Sequence, residues 1–257
     1  MDESCLGRRK FLGGCFLSVL SFSLTGFGGS KGQKGETPPP AKIDPELKER
    51  SWGMGIQIEK CIGCGRCADA CKKENDVPKE PFYFKTWVER YVIFEGGEVA
   101  VDSPNGGVDG FKRQSNESKI LRSFFVPKLC NQCDNPACVQ VCPVGATFKT
   151  KDGVTLVDSK YCIGCRYCIQ ACPYGARFIN PLTSTADKCT FCYHRILKGM
   201  IPACVEACPT QARIFGDTSG RPSPLVRFMR MNKIRILKPY LNTAPKVFYS
   251  GLDMEVN

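Results

Sequence analysis

Sixteen of the 18 cysteines in this 257-residue chain fall into four groups of four. Group one is Cys61, Cys64, Cys67 and Cys71; group two is Cys130, Cys133, Cys138 and Cys142, followed by Pro143. Group three is Cys162, Cys165, Cys168 and Cys172, followed by Pro173. Group four is Cys189 and Cys192, then, beyond an insertion, Cys204 and Cys208, followed by Pro209. Each group reads as a triplet of thiols with one more thiol a helical turn beyond. Three thiolates on one tight loop can hold three corners of a [4Fe–4S] cube, while the fourth, on a short helix, faces away toward a second cube. Every position is a Cys, so four [4Fe–4S] clusters and no three-iron variant are expected. Structural zinc prefers two Cys pairs closing one tetrahedron. Disulfides would not need such regular spacing, and neighbouring loop cysteines make poor partners. The spacing leaves open which triplet borrows which fourth cysteine.

The remaining chemistry points away from catalysis. A single histidine, His194, leaves little room for acid–base or nucleophile–base machinery. There is no Gly-x-Gly-x-x-Gly after a strand and no phosphate loop, and no cluster lacks a ligand. No residue is therefore expected to be catalytic, and a self-contained cluster reductase is the weaker reading. His194 is expected to be structural. Arg66 and Arg166, each beside a ligand cysteine, read either as charges that raise a cluster's potential or, equally well or better, as solvated surface side chains, and Trp52 and Trp87 are expected to pack against loops or a partner. The formal charge of +11 invites a nucleic-acid role. Residues 1–36 contribute +2 of it, and four thiolate-bound cubes would bring about −8. The loaded, processed chain would be close to neutral, which argues against nucleic acid.

The elements that must position these thiols are short. Gly53–Ile58 and Val154–Val157 carry apolar residues directly before a cysteine loop and read as strands. Gly63 and Gly164 let the backbone turn closely around a cube. Short helices are expected to carry the fourth cysteine of each group, and Pro143, Pro173 and Pro209 to stop three of them. Lys85–Phe94 and Glu98–Val101 read as a hairpin around Gly96-Gly97. The Arg227–Lys238 stretch reads as a helix ending followed by a strand.

At the N-terminus, Arg8-Arg9-Lys10-Phe11-Leu12 precedes a weakly apolar run, Phe11 to Phe27, in which seven of 17 residues are Gly, Ser or Thr. This resembles a twin-arginine export signal. It is short for a membrane span, which takes about 20 apolar residues. Cys15 precedes most of that run, which argues against lipidation, and an uncleaved leader acting as a tether stays open. Export of a folded chain with cofactors already inserted would explain so many cysteines in an oxidising destination.

Four phrases identify a resemblance. They are Val126-Pro-Lys-Leu-Cys-Asn-Gln-Cys-Asp-Asn-Pro-Ala-Cys138, Ala171-Cys-Pro-Tyr-Gly-Ala-Arg-Phe-Ile-Asn-Pro181, Asp187-Lys-Cys-Thr-Phe-Cys-Tyr-His-Arg195 and Pro202-Ala-Cys-Val-Glu-Ala-Cys-Pro-Thr-Gln-Ala-Arg-Ile-Phe-Gly-Asp217. From about Trp52 to Leu252 the chain resembles the four-cluster ferredoxin-type subunits of membrane-bound respiratory oxidoreductases. Among these are the iron–sulfur subunits of dimethyl sulfoxide, polysulfide and tetrathionate reductases, of formate-dependent nitrite reduction and of sulfate-reducer transmembrane complexes. The resemblance implies an exchange of fourth cysteines between groups one and four, and between groups two and three. The ligand sets would be Cys61, Cys64, Cys67 with Cys208; Cys189, Cys192, Cys204 with Cys71; Cys130, Cys133, Cys138 with Cys172; and Cys162, Cys165, Cys168 with Cys142.

The resemblance further implies an α+β, loop-rich fold of two bacterial-ferredoxin-like lobes, each holding two clusters, with an inserted β-hairpin. The expected organisation is a leader at 1–36, a Pro-rich linker at 37–50, a first lobe from 51–76 and 186–220, the hairpin region at 77–125, a second lobe at 126–185 and a C-terminal packing or docking segment at 221–257. The implied function is electron transfer in a hetero-oligomeric complex on the periplasmic face of the cytoplasmic membrane. One end would meet a multi-helix, quinone-interacting membrane subunit and the other a catalytic or cytochrome subunit. A free soluble polyferredoxin is the alternative.

Overall fold

A computed structural model describes residues 50–80, 83–112 and 120–256. The leader and, except for Arg50, the linker lie outside the described residues.

Strand β1 (Trp52–Gln57) is buried on both faces. Met54 and Ile56 point into the core, both fully buried, while Gly53 and Gly55 face the helix α6 (Pro224–Met231). A Cβ on Gly55 would stand 2.6 Å from the Phe228 ring, and one on Gly53 3.0 Å from Leu225, so the alternating glycines let α6 lie directly on the strand. Ser223 caps α6 by accepting from the Val226 amide at 3.1 Å, and Pro224 fills its first turn. Beside β1 run β9 (Arg213–Asp217), antiparallel with Met54 opposite Phe215, and β11 (Val247–Ser250), parallel with Met54 opposite Val247. The order β10-β11-β1-β9 is completed by β10 (Ile234–Arg235). The helix ending and strand expected over Arg227–Lys238 are thus α6 and β10, and the segment 221–257 adds β11 to the same sheet.

The hairpin region is a larger unit than expected. Strands β2 (Thr86–Phe94) and β3 (Val99–Asp102) pair antiparallel across the Gly96-Gly97 turn. A third strand, β4 (Ile120–Leu129), pairs along the whole of β2 and gives the order β3-β2-β4. β4 crosses the expected boundary at residue 125/126, and Pro127, which obscures a strand pattern, sits in it on the edge away from β3. Arg90 grips Asp102 through two hydrogen bonds of 2.8 and 2.7 Å.

Two small antiparallel ribbons complete the sheets: β5 (Thr147–Lys149) with β6 (Thr155–Val157), and β7 (Arg177–Asn180) with β8 (Thr185–Lys188). Residues from both expected lobes share one hydrophobic core, where Trp52 stacks on Phe215 at 5.2 Å and Phe191 meets Phe215 edge-on at 5.5 Å. Buried Asp152 accepts from Trp52 Nε1 at 3.0 Å and from the Tyr193 hydroxyl at 3.1 Å, joining the two halves. Tyr249 donates from β11 to the Pro127 carbonyl of β4 at 3.2 Å.

Five short helices flank the thiols: α1 (Arg66–Glu74), α2 (Ala137–Gln140), α3 (Tyr167–Gln170), α4 (Tyr193–Ile196) and α5 (Ala203–Glu206). Only α1 carries its fourth cysteine, Cys71; α2, α3 and α5 carry the third, and Cys142, Cys172 and Cys208 lie two residues past the helix end. A residue before proline is driven out of the helical region, so each helix must stop short of its Cys-Pro pair. Among the described residues, no helix is long and apolar enough to cross a membrane.

Candidate metal centre

Gly63 turns the first cysteine loop with φ +69°, and the space its missing Cβ would fill belongs to the Phe125 ring. Gly164 holds the same φ in the third group, against the Ser184 carbonyl. These positive φ values favour glycine and turn the loop tightly between its first two cysteines. In group four the same bend is made by Phe191 and Cys192, at φ +55° and +53°, a sign that the loop is held from outside.

Three hollows are lined by four thiols each. Site 1 is lined by Cys61, Cys64, Cys67 and Cys208. Site 2 is lined by Cys71, Cys189, Cys192 and Cys204. Site 3 is lined by Cys130, Cys133, Cys138 and Cys172. The remaining four, Cys142, Cys162, Cys165 and Cys168, make up the set called site 4 below. Cys142 and Cys162 each accept a backbone amide at 3.4 Å, from Thr147 and Ala186. All sixteen are free thiols.

The donor set fits a multi-iron cube. Among the described residues, no three Cys, His, Asp or Glu side chains converge on a point that would hold one metal ion, whereas tetrahedral zinc needs four ligands at about 2.3 Å. Burial pushes the Cys133 thiol up to about 12, and the neighbouring Cys130 adds to this. Burial likewise pushes Cys61 and Cys204 up to about 11. Desolvated, mutually repelling thiolates need a cationic guest, and a coordinating metal deprotonates the thiol outright. At Cys142 and Cys208 the direction reverses: burial raises them, but hydrogen bonds outweigh it and hold both below the usual thiol value. At Cys142 the donors are led by the Thr147 amide and at Cys208 by the Thr210 hydroxyl. The wall of site 3 adds a second observation. Apart from Asn105 Oδ1, every buried side-chain polar atom lacking a hydrogen-bond partner among the described residues belongs to Asn131, Thr155 or Arg177, all three of which line that hollow. Buried polar groups are normally satisfied, and their concentration in the residues around this hollow fits a polar guest there.

Two buried cations escaped the sequence reading. Arg213 lines site 1 and donates to Cys204 Sγ of site 2 at 3.6 Å, held by Thr86 Oγ1 at 2.7 Å. Arg177 lines site 3 and donates to Cys138 Sγ at 3.0 Å, with Thr147 Oγ1 at 3.3 Å. Their signal was present as a repeated Cys-Pro-x-x-Ala-Arg phrase, Cys172 to Arg177 and Cys208 to Arg213. Arg66 and Arg166 are exposed. His194 bonds Glu74 at 2.7 Å, with Arg195 on the other carboxylate oxygen at 2.8 Å, which is a structural role. The Asn75 amide reaches Cys71 and Cys192 of site 2, both at 3.6 Å.

Comparison with known proteins agrees with this chemistry. Two 4Fe-4S dicluster domain models match, at residues 60–146 and 121–218. The B subunit of tetrathionate reductase from Salmonella typhimurium is 44% identical over 217 residues, covering 82% of this chain and 78% of that protein. Protein NrfC of Escherichia coli is 39% identical over 199 residues, covering 77% and 79%. The B component of polysulfide reductase from Wolinella succinogenes is 36% identical over 200 residues, covering 77% and 93%. With two dicluster domains the protein carries four [4Fe–4S] clusters and transfers electrons without being the catalytic subunit. It belongs to the family of ferredoxin-type, four-cluster iron–sulfur subunits of respiratory reductase complexes.

Proposed function

We propose that this protein is an electron conduit exported by a twin-arginine leader to the outer face of the cytoplasmic membrane. There it joins a multi-helix, quinone-interacting membrane subunit to a catalytic or cytochrome subunit. The ligand sets are those of sites 1 to 4, with groups one and four, and groups two and three, exchanging their fourth cysteines. Support for sites 1 to 3 comes from the hollows; site 4 takes the remaining thiols. When bound, each cube supplies one-electron redox chemistry.

The observation that carries the reading is serial order. Arg213 reaches from site 1 to Cys204 of site 2. The Gln132 amide ties the Cys189 carbonyl of site 2 to the site 3 loop at 2.7 Å. Arg177 donates to Cys138 of site 3 and to the hydroxyl of Thr147, whose own amide donates to Cys142 of site 4. Among the described residues, the two exposed cysteines are Cys64 of site 1 and Cys165 of site 4, the two ends of that order. Apolar side chains stand exposed at both ends, Ile62 beside Cys64 and Ile163 and Tyr167 around Cys165, as partner-docking ends would require.

The test is purification of the tagged full-length protein from detergent-solubilised membranes under anaerobic conditions. Recovery with a polytopic membrane protein and a further redox subunit is expected, at about sixteen irons per chain. Recovery of the loaded protein alone, from the soluble fraction, would favour a free polyferredoxin and reject the proposal.

A further inference from the structure

A second feature runs along the same series. Arg213, Lys188 and Arg177 are buried, at 3%, 0% and 5% exposure. Arg213 and Arg177 each donate to a cysteine sulfur and Lys188 to backbone carbonyls, and among the described residues no salt bridge to a carboxylate is found for any of them. Arg213 forms part of the site 1 wall and donates to a site 2 sulfur. Lys188 Nζ donates to the Cys189 carbonyl of site 2 at 2.9 Å and to the carbonyl of Thr155, a residue that lines site 3. Arg177 forms part of the site 3 wall and donates to its Cys138 sulfur. One buried cation therefore stands at the junction of sites 1 and 2, one between sites 2 and 3, and one on site 3. An unpaired buried charge is costly, and here the compensating negative charge is that of the thiolate sets. The two guanidiniums are charged at every working pH.

We propose that Arg213 and Arg177 are fixed positive charges that set the reduction potentials of the cubes beside them, with Arg213 acting on sites 1 and 2 and Arg177 on site 3. The inference rests on the ligand sets given above. Reduction of a cube adds one electron and one negative charge, with no bond made or broken. A cation fixed within hydrogen-bond range of a ligand sulfur favours the reduced form. Because the charge is buried, salt screens it little. The exposed Arg66 and Arg166 are screened and act far more weakly. Both are positioning residues, not catalytic ones.

The test is an anaerobic, dithionite-driven potentiometric titration of the cluster-loaded full-length protein, followed by low-temperature paramagnetic resonance with iron counted in each sample. Arg213→Met is expected to lower two of the four one-electron waves. The ratio of reduced to oxidised cluster at fixed potential should fall about tenfold or more, equivalent to about 59 mV for one electron. Arg177→Met should lower a wave that Arg213→Met leaves in place. Arg213→Lys should restore most of the shift, and Arg166→Met should move no wave comparably. The proposal is overturned if iron-replete Arg213→Met and Arg177→Met leave all four waves in place, or if Arg213→Lys shifts them as far as Met does. Should Arg213→Met lose iron, Arg213→Gln replaces it. Loss of iron from both, with retention in the Lys variant, would overturn the proposal in favour of a role in assembly. An unmutated protein without four cubane signals would overturn the ligand reading as well.

Discussion

The carboxylate of Asp152 accepts from the Trp52 indole, the Tyr193 hydroxyl and the Thr150 hydroxyl while almost wholly buried. Removing a buried acceptor leaves its donors unsatisfied, at about 1–3 kcal/mol each. Asp152→Ala is therefore expected to destabilise the fold by about 3 kcal/mol, through Trp52 and Tyr193 together. Bleaching of the cluster absorbance on heating should begin several degrees lower, and an unchanged onset would show that the joint is not built on this residue. At this scale the thiols were legible, because spacing along a loop encodes cluster chemistry directly. The buried arginines were not. Sequence adjacency pointed to Arg66 and Arg166, yet what brings a charge to a cluster is the turn after Cys-Pro, which swings Arg177 and Arg213 back over the sulfur atoms. In the corresponding phrase of group two, Cys142-Pro-Val-Gly-Ala-Thr147, the place is taken by Thr147, which hydrogen-bonds Arg177 instead.

Among the elements, β1 and α6 show how composition fixes contact. Gly53 and Gly55 remove side chains from one face of β1, and Leu225 and Phe228 occupy the space. Gly55→Val would drive its side chain into the Phe228 ring and lift α6 off the sheet. Overpacking of this kind costs about 1–3 kcal/mol. The checking measurement is limited proteolysis of the loaded protein, with faster cleavage around 220–232 expected; wild-type protection would show that the helix repacks freely. The strands β1, β2, β3 and β6 lay close to the expected residues because alternation and a Gly-Gly turn carry their own signal. β4 did not, since its pattern is interrupted by Pro127 and its pairing with β2 spans a long sequence interval. The helices were legible in existence but not in which cysteine they carry.

At the scale of the whole molecule, one core serves both expected halves, and the clusters form part of it. Cys67, Cys130, Cys189 and Cys204 belong to the same buried cluster as Met54 and Tyr249. Metal binding and folding are coupled in such a protein. The strand β11 is an interior strand of its sheet, between β10 and β1. Lys246 next to it receives Met54 N at its carbonyl at 2.9 Å, and its own amide donates to the Asn131 carbonyl at 2.8 Å. Truncation after Pro245 removes these links and leaves β1 unpaired on one side. Such a truncate is expected to hold less than half of the full iron complement by metal analysis; full loading would show that the sheet closes without β11. Within 221–257 the helix ending and the strand expected over Arg227–Lys238 are α6 and β10, whereas β11 was not foreseen, because a four-residue strand carries little periodic signal and parallel pairing with β1 is not written in local residues.

That pairing has a consequence for biosynthesis. β1 emerges from the ribosome early and waits for β11, the last of its sheet to be made. At about 5–20 residues per second, the wait is on the order of ten seconds or more. Sites 1 and 2 join thiols from the beginning of the fold to thiols of its fourth group, so site 2 is incomplete before Cys204, and site 1 before Cys208, has been synthesised.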